Sequence, residues 1–139
     1  DDTRAHEIMT PINQIWSLPA TTKVKDAIQK MRLGSEYSRV PVTGSRKNDI
    51  IGILYSKDLL TAQLDREILD RPIAEHCRKT FVVSPQLQAN TLFRKLKQQK
   101  THIAVVEDLS GNAIGIVTLS DIIETLFEDV IDENEEATV

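Results

Sequence analysis

Residues 115–123 read GIVTLSDII, and residues 52–60, GILYSKDLL, repeat their pattern 63 positions earlier. Each copy is a glycine, an aliphatic pair, an aspartate six places after the glycine, and two further aliphatics. An apolar run that passes through a polar corner into helical spacing reads as a strand feeding a helix. In the second copy Thr118 and Asp121 stand at that corner. A hydroxyl and a carboxylate so placed can hold a sugar hydroxyl or a phosphate, or can cap the helix without any ligand.

The repetition extends outward from these stretches. Val24, Ala27, Ile28 and Met31 fall at i, i+3, i+4 and i+7, and a shift of 65 places them on Ala89, Leu92, Phe93 and Leu96, which are spaced alike. Both sets predict a helix with one buried face. The same shift carries residues 16–18 onto 81–83. From Arg39 onward the shift reads as 63, pairing RVPV with HIAV at 102–105, as though two residues were lost in the loop after the helix.

Local signals complete the outline. Residues 12–18 read as a short strand before Pro19, with Thr22 capping the first helix and Gly34 ending it. Val40 and Val42 alternate in a strand that, with Pro41 in it, is expected to lie at an edge or open onto something, and a polar turn at 43–49 joins it to the apolar run at 50–54. Ser56 is placed to cap a helix over 57–64 that buries Leu59, Leu60 and Leu64. A connector over 65–79 leads to the second half, where Ser84-Pro85 opens a helix, residues 110–112 make a hairpin turn and 120–127 form the closing helix.

Each half is thus strand, helix, strand, strand, helix. A unit of that size buries too little to stand comfortably alone, and packing against its copy solves the problem. The expected fold is an α/β, pseudo-twofold sandwich with two equivalent clefts between halves at 7–66 and 67–129, followed by an acidic tail or linker at 130–139.

Charge and composition narrow the function classes. The net charge is -4, yet Glu124, Glu128, Asp129, Asp132, Glu133, Glu135 and Glu136 account for seven acids, so the remainder carries only +3. That is no footprint for nucleic acid. No run approaches the ~18 apolar residues of a membrane span, and no signal peptide opens the chain, which is expected to be soluble as it stands and a piece of a longer protein. The single Cys77 cannot form an internal disulfide and fits a reducing compartment. His6, His76 and His102 lack metal-ligand spacing, and Trp16, aligned with Phe81, reads as packing. The acidic tail lacks a calcium-loop pattern and reads as a solvated helix end, with a role beside Mg²⁺ and a nucleotide's phosphates as the sharper alternative.

Taken in order, IMTP, YSRVPV, GILYSKDLL, HIAVVED and GIVTLSDIIE resemble a tandem pair of CBS domains, a Bateman module. The wording is similar to the pair in CorC-like and hemolysin-related magnesium and cobalt transporters and their cyclin-M relatives, over residues 7–133. The resemblance implies a non-enzymatic, cytosolic regulatory segment attached to a membrane domain, binding an adenine nucleotide, AMP or ATP with or without Mg²⁺, and pairing into a homodimer through its helices. It places ribose or phosphate at Thr118 and Asp121, with Leu119 beside them, and builds the opposite wall from Thr10, Tyr37, Ser38, Arg39, Val40 and Pro41. Arg39 offers a charged fork for phosphate, while Val40 and Leu119 offer an apolar wall for adenine.

The pseudo-symmetric cleft looks poorer. Tyr55 replaces the threonine, Asp58 is kept, Arg78 stands where Thr10 stood, and His102 and Ala104 replace Arg39 and Pro41 in the 63-residue alignment. One nucleotide per chain is therefore expected. Two rival readings stay open: a dimerisation module with empty clefts, and a nucleotide-processing enzyme, against which stands the lack of a phosphate loop, an activated nucleophile or a metal cluster.

Overall fold

The computed structural model describes residues 2–33 and 38–137, apart from the side chains of 32, 33 and 133–137. The elements run α1 (Ala5–Ile8), β1 (Thr10–Pro11), a 3-10 turn (Ile12–Gln14), β2 (Leu18–Pro19), α2 (Val24–Leu33), β3 (Arg39–Thr43), β4 (Ile50–Tyr55) and α3 (Ser56–Ala62). There follow α4 (Arg66–Leu69), a second 3-10 turn (Ile73–Glu75), β5 (Val82–Val83), α5 (Ala89–Gln99), β6 (Ile103–Glu107), β7 (Ala113–Thr118) and α6 (Leu119–Ala137). The α/β class expected from sequence is present, with one sheet ordered β2-β3-β4 and the other β1-β7-β6-β5.

The chain forms two compact units, and they are not simply its two sequence repeats. Residues 16–80 make one; the segment up to Ile15 joins residue 81 onward to make the other. In the first-repeat unit, strand alternation turns Val40, Val42 and Leu54 to one side, where they pack with Val24, Ala27 and Met31 of α2 and with Leu59 and Ile73. In the second-repeat unit, Ala104, Val106 and Val117 meet Leu92 and Leu96 of α5, Ile122 of α6 and Ala5 of α1. Each such fully buried aliphatic contributes roughly 1.5–3 kcal/mol.

The segment that precedes each repeat is bound to the other repeat. Ala5 N–H donates to Leu87 O at 2.8 Å and Ala89 N–H to Thr3 O at 2.8 Å, while β1 pairs antiparallel with β7. The connector does the same for the first repeat: Ile73 N–H donates to Thr22 O at 2.8 Å, Val24 N–H to Arg71 O at 2.9 Å, and Arg78 bridges Ile53. Thr10 opposite Ile116 and Arg78 opposite Ile53 are equivalent places, as the sequence alignment of Thr10 with Arg78 expected.

The strand register corrects that alignment elsewhere. Arg39 lies opposite Tyr55 and Pro41 opposite Ile53, whereas Ile103 lies opposite Thr118 and Val105 opposite Ile116. The true shift across these strands is 64, so Ile103 and Val105, not His102 and Ala104, are the counterparts of Arg39 and Pro41. One residue is lost before the strand and one in the hairpin. A one-residue slip moves every side chain to the opposite face, which is why apolar matching alone misaligned them.

Other boundaries also move. Residues 12–14 form a 3-10 turn and only Leu18–Pro19 is strand. Tyr55, not Ser56, is the N-cap of α3, and it makes no side-chain cap. Leu59 is buried but Leu60 is 65% and Leu64 88% exposed, because α3 ends at Ala62 and its inward stripe is Leu59 and Ala62. Residues 84–88 form a turn rather than opening α5, with Gln86 N–H donating to Ser84 Oγ at 3.1 Å. The closing helix continues through the acidic stretch to Ala137. The expected stop at Gly34 lies outside the described residues.

Candidate functional site

At the second-repeat corner, β7 delivers Thr118 to the N-terminus of α6, and the two candidate side chains bind each other's backbone. Asp121 N–H donates to Thr118 Oγ1 at 3.2 Å, and Thr118 N–H donates to Asp121 Oδ2 at 3.4 Å. This is a reciprocal cap, and it explains locally why helix follows strand here. Leu119 N–H is anchored to His102 O at 2.8 Å.

The cap does not exhaust the corner's polar capacity. The bond to Asp121 Oδ2 is long, Oδ1 takes no hydrogen bond among the described residues, and Asp121 joins no ion pair there. An ionised carboxylate has about four lone-pair sites, so it can still accept both hydrogens of a ribose diol. The half-buried Thr118 shares a sheet face with Thr10, whose partner Ile116 lies two residues before Thr118; Thr10 is exposed. The residues present therefore fit a vicinal diol.

Thr10 thus belongs to the same unit as Thr118, Leu119 and Asp121 and is not part of an opposite wall. The reason is the exchange of leading segments. Ser38, Arg39, Val40 and Pro41 lie in the first-repeat unit, and Tyr37 falls outside the described residues. Arg39 and Pro41 share the sheet face opposite the helices, and Arg39 forms no ion pair among the described residues. Val40 is fully buried in its own unit's core, so its side chain is not a free wall for adenine, while Leu119 is partly buried against the other core. Ser38 O accepts from Ser56 N–H at 2.9 Å.

The first-repeat corner is built differently. Arg78 donates through Nε to Asp58 Oδ2 and through Nη2 to Asp58 Oδ1, both at 2.9 Å. Its guanidinium carbon lies 4.3 Å from the centroid of the Tyr55 ring, a stacked cation–π placement. The hydrogen bonds from Arg78 hold the Asp58 carboxyl below its ordinary range and raise the guanidinium's own value. Sequence reasoning named all three residues but saw Tyr55 as the obstacle; the charge complementarity of Arg78 and Asp58 was the available signal. Burial pushes the Cys77 thiol up, as suits a packing residue. Among the described residues no group of three or more His, Cys, Asp or Glu side chains gathers to hold a metal, and no helix is long and apolar enough to cross a membrane.

The CBS domain family matches residues 5–65 and 67–128. Among solved structures, the CBS domain of a bacterial CNNM/CorC family Mg²⁺ transporter in complex with ATP is 33% identical, with a TM-score of 0.81 over 88% of this chain and 85% of that one. The UPF0053 protein YhdP of Bacillus subtilis is 32% identical over 96% of this chain and 30% of its own length. Hemolysin C of Rickettsia prowazekii is 25% identical over 98% of this chain and 44% of its own length. The chain spans less than half of each of these two relatives. It belongs to the CBS domain family, as a tandem pair resembling those of CorC-like and hemolysin-related proteins.

Proposed function

We propose that this chain is a non-enzymatic regulatory module that binds one adenine nucleotide at the Thr118–Asp121 corner and belongs to a larger, membrane-bound protein that transports divalent cations such as Mg²⁺ or Co²⁺. The observation that carries the reading is the unspent acceptor oxygen of Asp121 at the corner with Thr118, whose sheet face also carries Thr10. The ATP complex of the 33% identical transporter domain supports the ligand class. Asp121 accepts the ribose hydroxyls and Thr118 and Thr10 bond sugar or phosphate oxygens, while the family resemblance adds Arg39 as a phosphate partner and Tyr37, Ser38, Val40 and Pro41 as further nucleotide-contacting residues. The nucleotide signals by binding one arrangement of the module better than another, which shifts their populations.

Thermal denaturation with AMP, ADP, ATP and Mg-ATP tests this. Ligand at a hundredfold excess over Kd stabilises the folded chain by about 2.7 kcal/mol. Thr118→Val with Asp121→Ala removes the shift, Arg39→Ala weakens the response to ATP more than to adenosine, and the comparison of ATP with Mg-ATP decides whether Mg²⁺ accompanies the ligand. A melting temperature unmoved by all four ligands overturns the nucleotide reading.

The second reading, a dimerisation module, is favoured by a separate observation. On α6, Ile123, Phe127, Val130 and Ile131 are exposed, and Leu60 and Leu64 are exposed at α3 and its end. We propose that these helices pair two copies of the chain. Light scattering should give a dimer for the wild type and a monomer for Phe127→Glu; a monomeric wild type overturns it. Pairing of two copies is compatible with nucleotide binding, whereas a dimer whose melting temperature none of the four ligands moves is the dimerisation module with empty clefts.

A further inference from the structure

The two strand-to-helix corners keep the same aspartate and treat it in opposite ways. Asp121 has an oxygen with no hydrogen bond among the described residues, whereas each oxygen of Asp58 already accepts a bond from Arg78. We infer that Arg78 is a built-in occupant of the first-repeat corner, a planar cation that stands where a diol would meet both oxygens of Asp58 and so limits the chain to one nucleotide. This rests on the proposed ligand class and adds what sets the stoichiometry.

Three features support the assignment. First, the position is equivalent to that of Thr10: Arg78 bridges Ile53 as Thr10 pairs with Ile116, so its side chain leaves the sheet on the matching face. Second, the pairing is bidentate, with two 2.9 Å bonds that engage both carboxylate oxygens to which the two hydroxyls of a vicinal diol would donate. A competing diol would have to displace two bonds in which both partners are charged to form two in which only the carboxylate is. Third, the guanidinium carbon lies 4.3 Å from the Tyr55 ring centroid, a cation–π contact that adds to the two bonds holding Arg78 in place, with Lys57 Nζ 5.6 Å from the same centroid.

The main-chain bonds of Arg78 do not depend on its side chain: Arg78 N–H donates to Ile53 O at 2.8 Å, and Ile53 N–H donates to Arg78 O at 2.9 Å. The side chain itself is 47% exposed. Replacement by threonine, the residue at the equivalent position in the other unit, therefore leaves the crossing segment paired while freeing Asp58.

The test is the number of adenosine and ATP molecules bound per chain, by equilibrium dialysis, for the wild type, Arg78→Thr, and Arg78→Thr with Asp58→Ala. We expect Arg78→Thr to bind one molecule more than the wild type, and the double variant to lose that additional molecule. Arg78→Ala serves as a second route to the same state, and circular dichroism confirms that each variant is folded. An unchanged count in both folded Arg78 variants overturns the inference. So does a gain that persists when Asp58 is removed. Absence of binding by the wild type would refute the proposed function, while the increment on replacing Arg78 would still decide the occupant's role.

Discussion

Replacing Gly115 by alanine tests whether the crossing of β1 over β7 holds the second-repeat unit together. A Cβ built there meets Met9 Sδ, Met9 Cγ at 2.8 Å and the Thr10 carbonyl oxygen at 2.8 Å. Carbon contacts settle near 3.5–4.0 Å, so about 1 Å must be gained. Met9 can swing away on its flexible side chain. Thr10 O cannot, because it belongs to the strand paired through Thr10 with Ile116 and Pro11 with Gly115. Overpacking of this kind costs about 2 kcal/mol, which for a chain of this length lowers Tm by about 7 °C. Urea denaturation of the wild type, Gly115→Ala, Met9→Ala and the double variant forms a cycle in which Met9→Ala recovers only the side-chain part. Gly52→Ala is the milder control, since its backbone neighbour Arg78 O stands at 3.1 Å. Nucleotide affinity should fall in Gly115→Ala, because Thr10 is displaced. A loss below about 0.5 kcal/mol, the range of inert surface changes, or full recovery by Met9→Ala, would refute the reasoning.

Four further outcomes follow from the same contacts. Thr118→Ala should lower stability by about 1 kcal/mol through loss of the reciprocal cap, and Thr118→Ser should restore it, as read from urea midpoints without ligand. The Asp58 carboxyl is depressed first by hydrogen bonds from Arg78 and, after an opposing desolvation effect, by the charges of Arg78 and Lys57. Its stabilising contribution is therefore present above the unfolded carboxylate value of about 3.9 and is lost as pH falls through the lower folded value. Urea midpoints from pH 6 to pH 2 should drop less steeply for Arg78→Gln than for the wild type. Hydrogen exchange of the bonded amides of Ala5 and His6 should quicken in Leu92→Ala but not in Leu54→Ala, since those amides donate to Leu87 O and Pro85 O. Lys100 closes α5 in the left-handed conformation at φ 53°, so Lys100→Gly should raise stability by about 1 kcal/mol in the same denaturation assay.

Much of the fold was legible because its signals are periodic. The stripe of Val24, Ala27 and Met31 and that of Ala89, Leu92 and Leu96 became buried helix faces. Leu60 and Leu64 misled because apolarity marks what can be buried, not what is; α3 ends before a second inward turn forms. The site was legible only as chemistry. Thr118 and Asp121 do meet, yet as a cap as well as a candidate site, and Val40 proved to be core.

What the sequence alone determined is the repeat, the residue types at its two corners and the alternation that sends valines inward. These depend on neighbours a few positions apart. The tertiary structure decided which repeat each leading segment joins, and the register of the strands to a single residue. Those choices depend on hydrogen-bond ladders between distant segments. They put Thr10 on the sheet face of Thr118 and Arg78 on Asp58. A shift of 63 or 64 satisfies the apolar pattern almost equally, but only one pairs the backbone groups of Ile103 with Thr118 and closes the ladder.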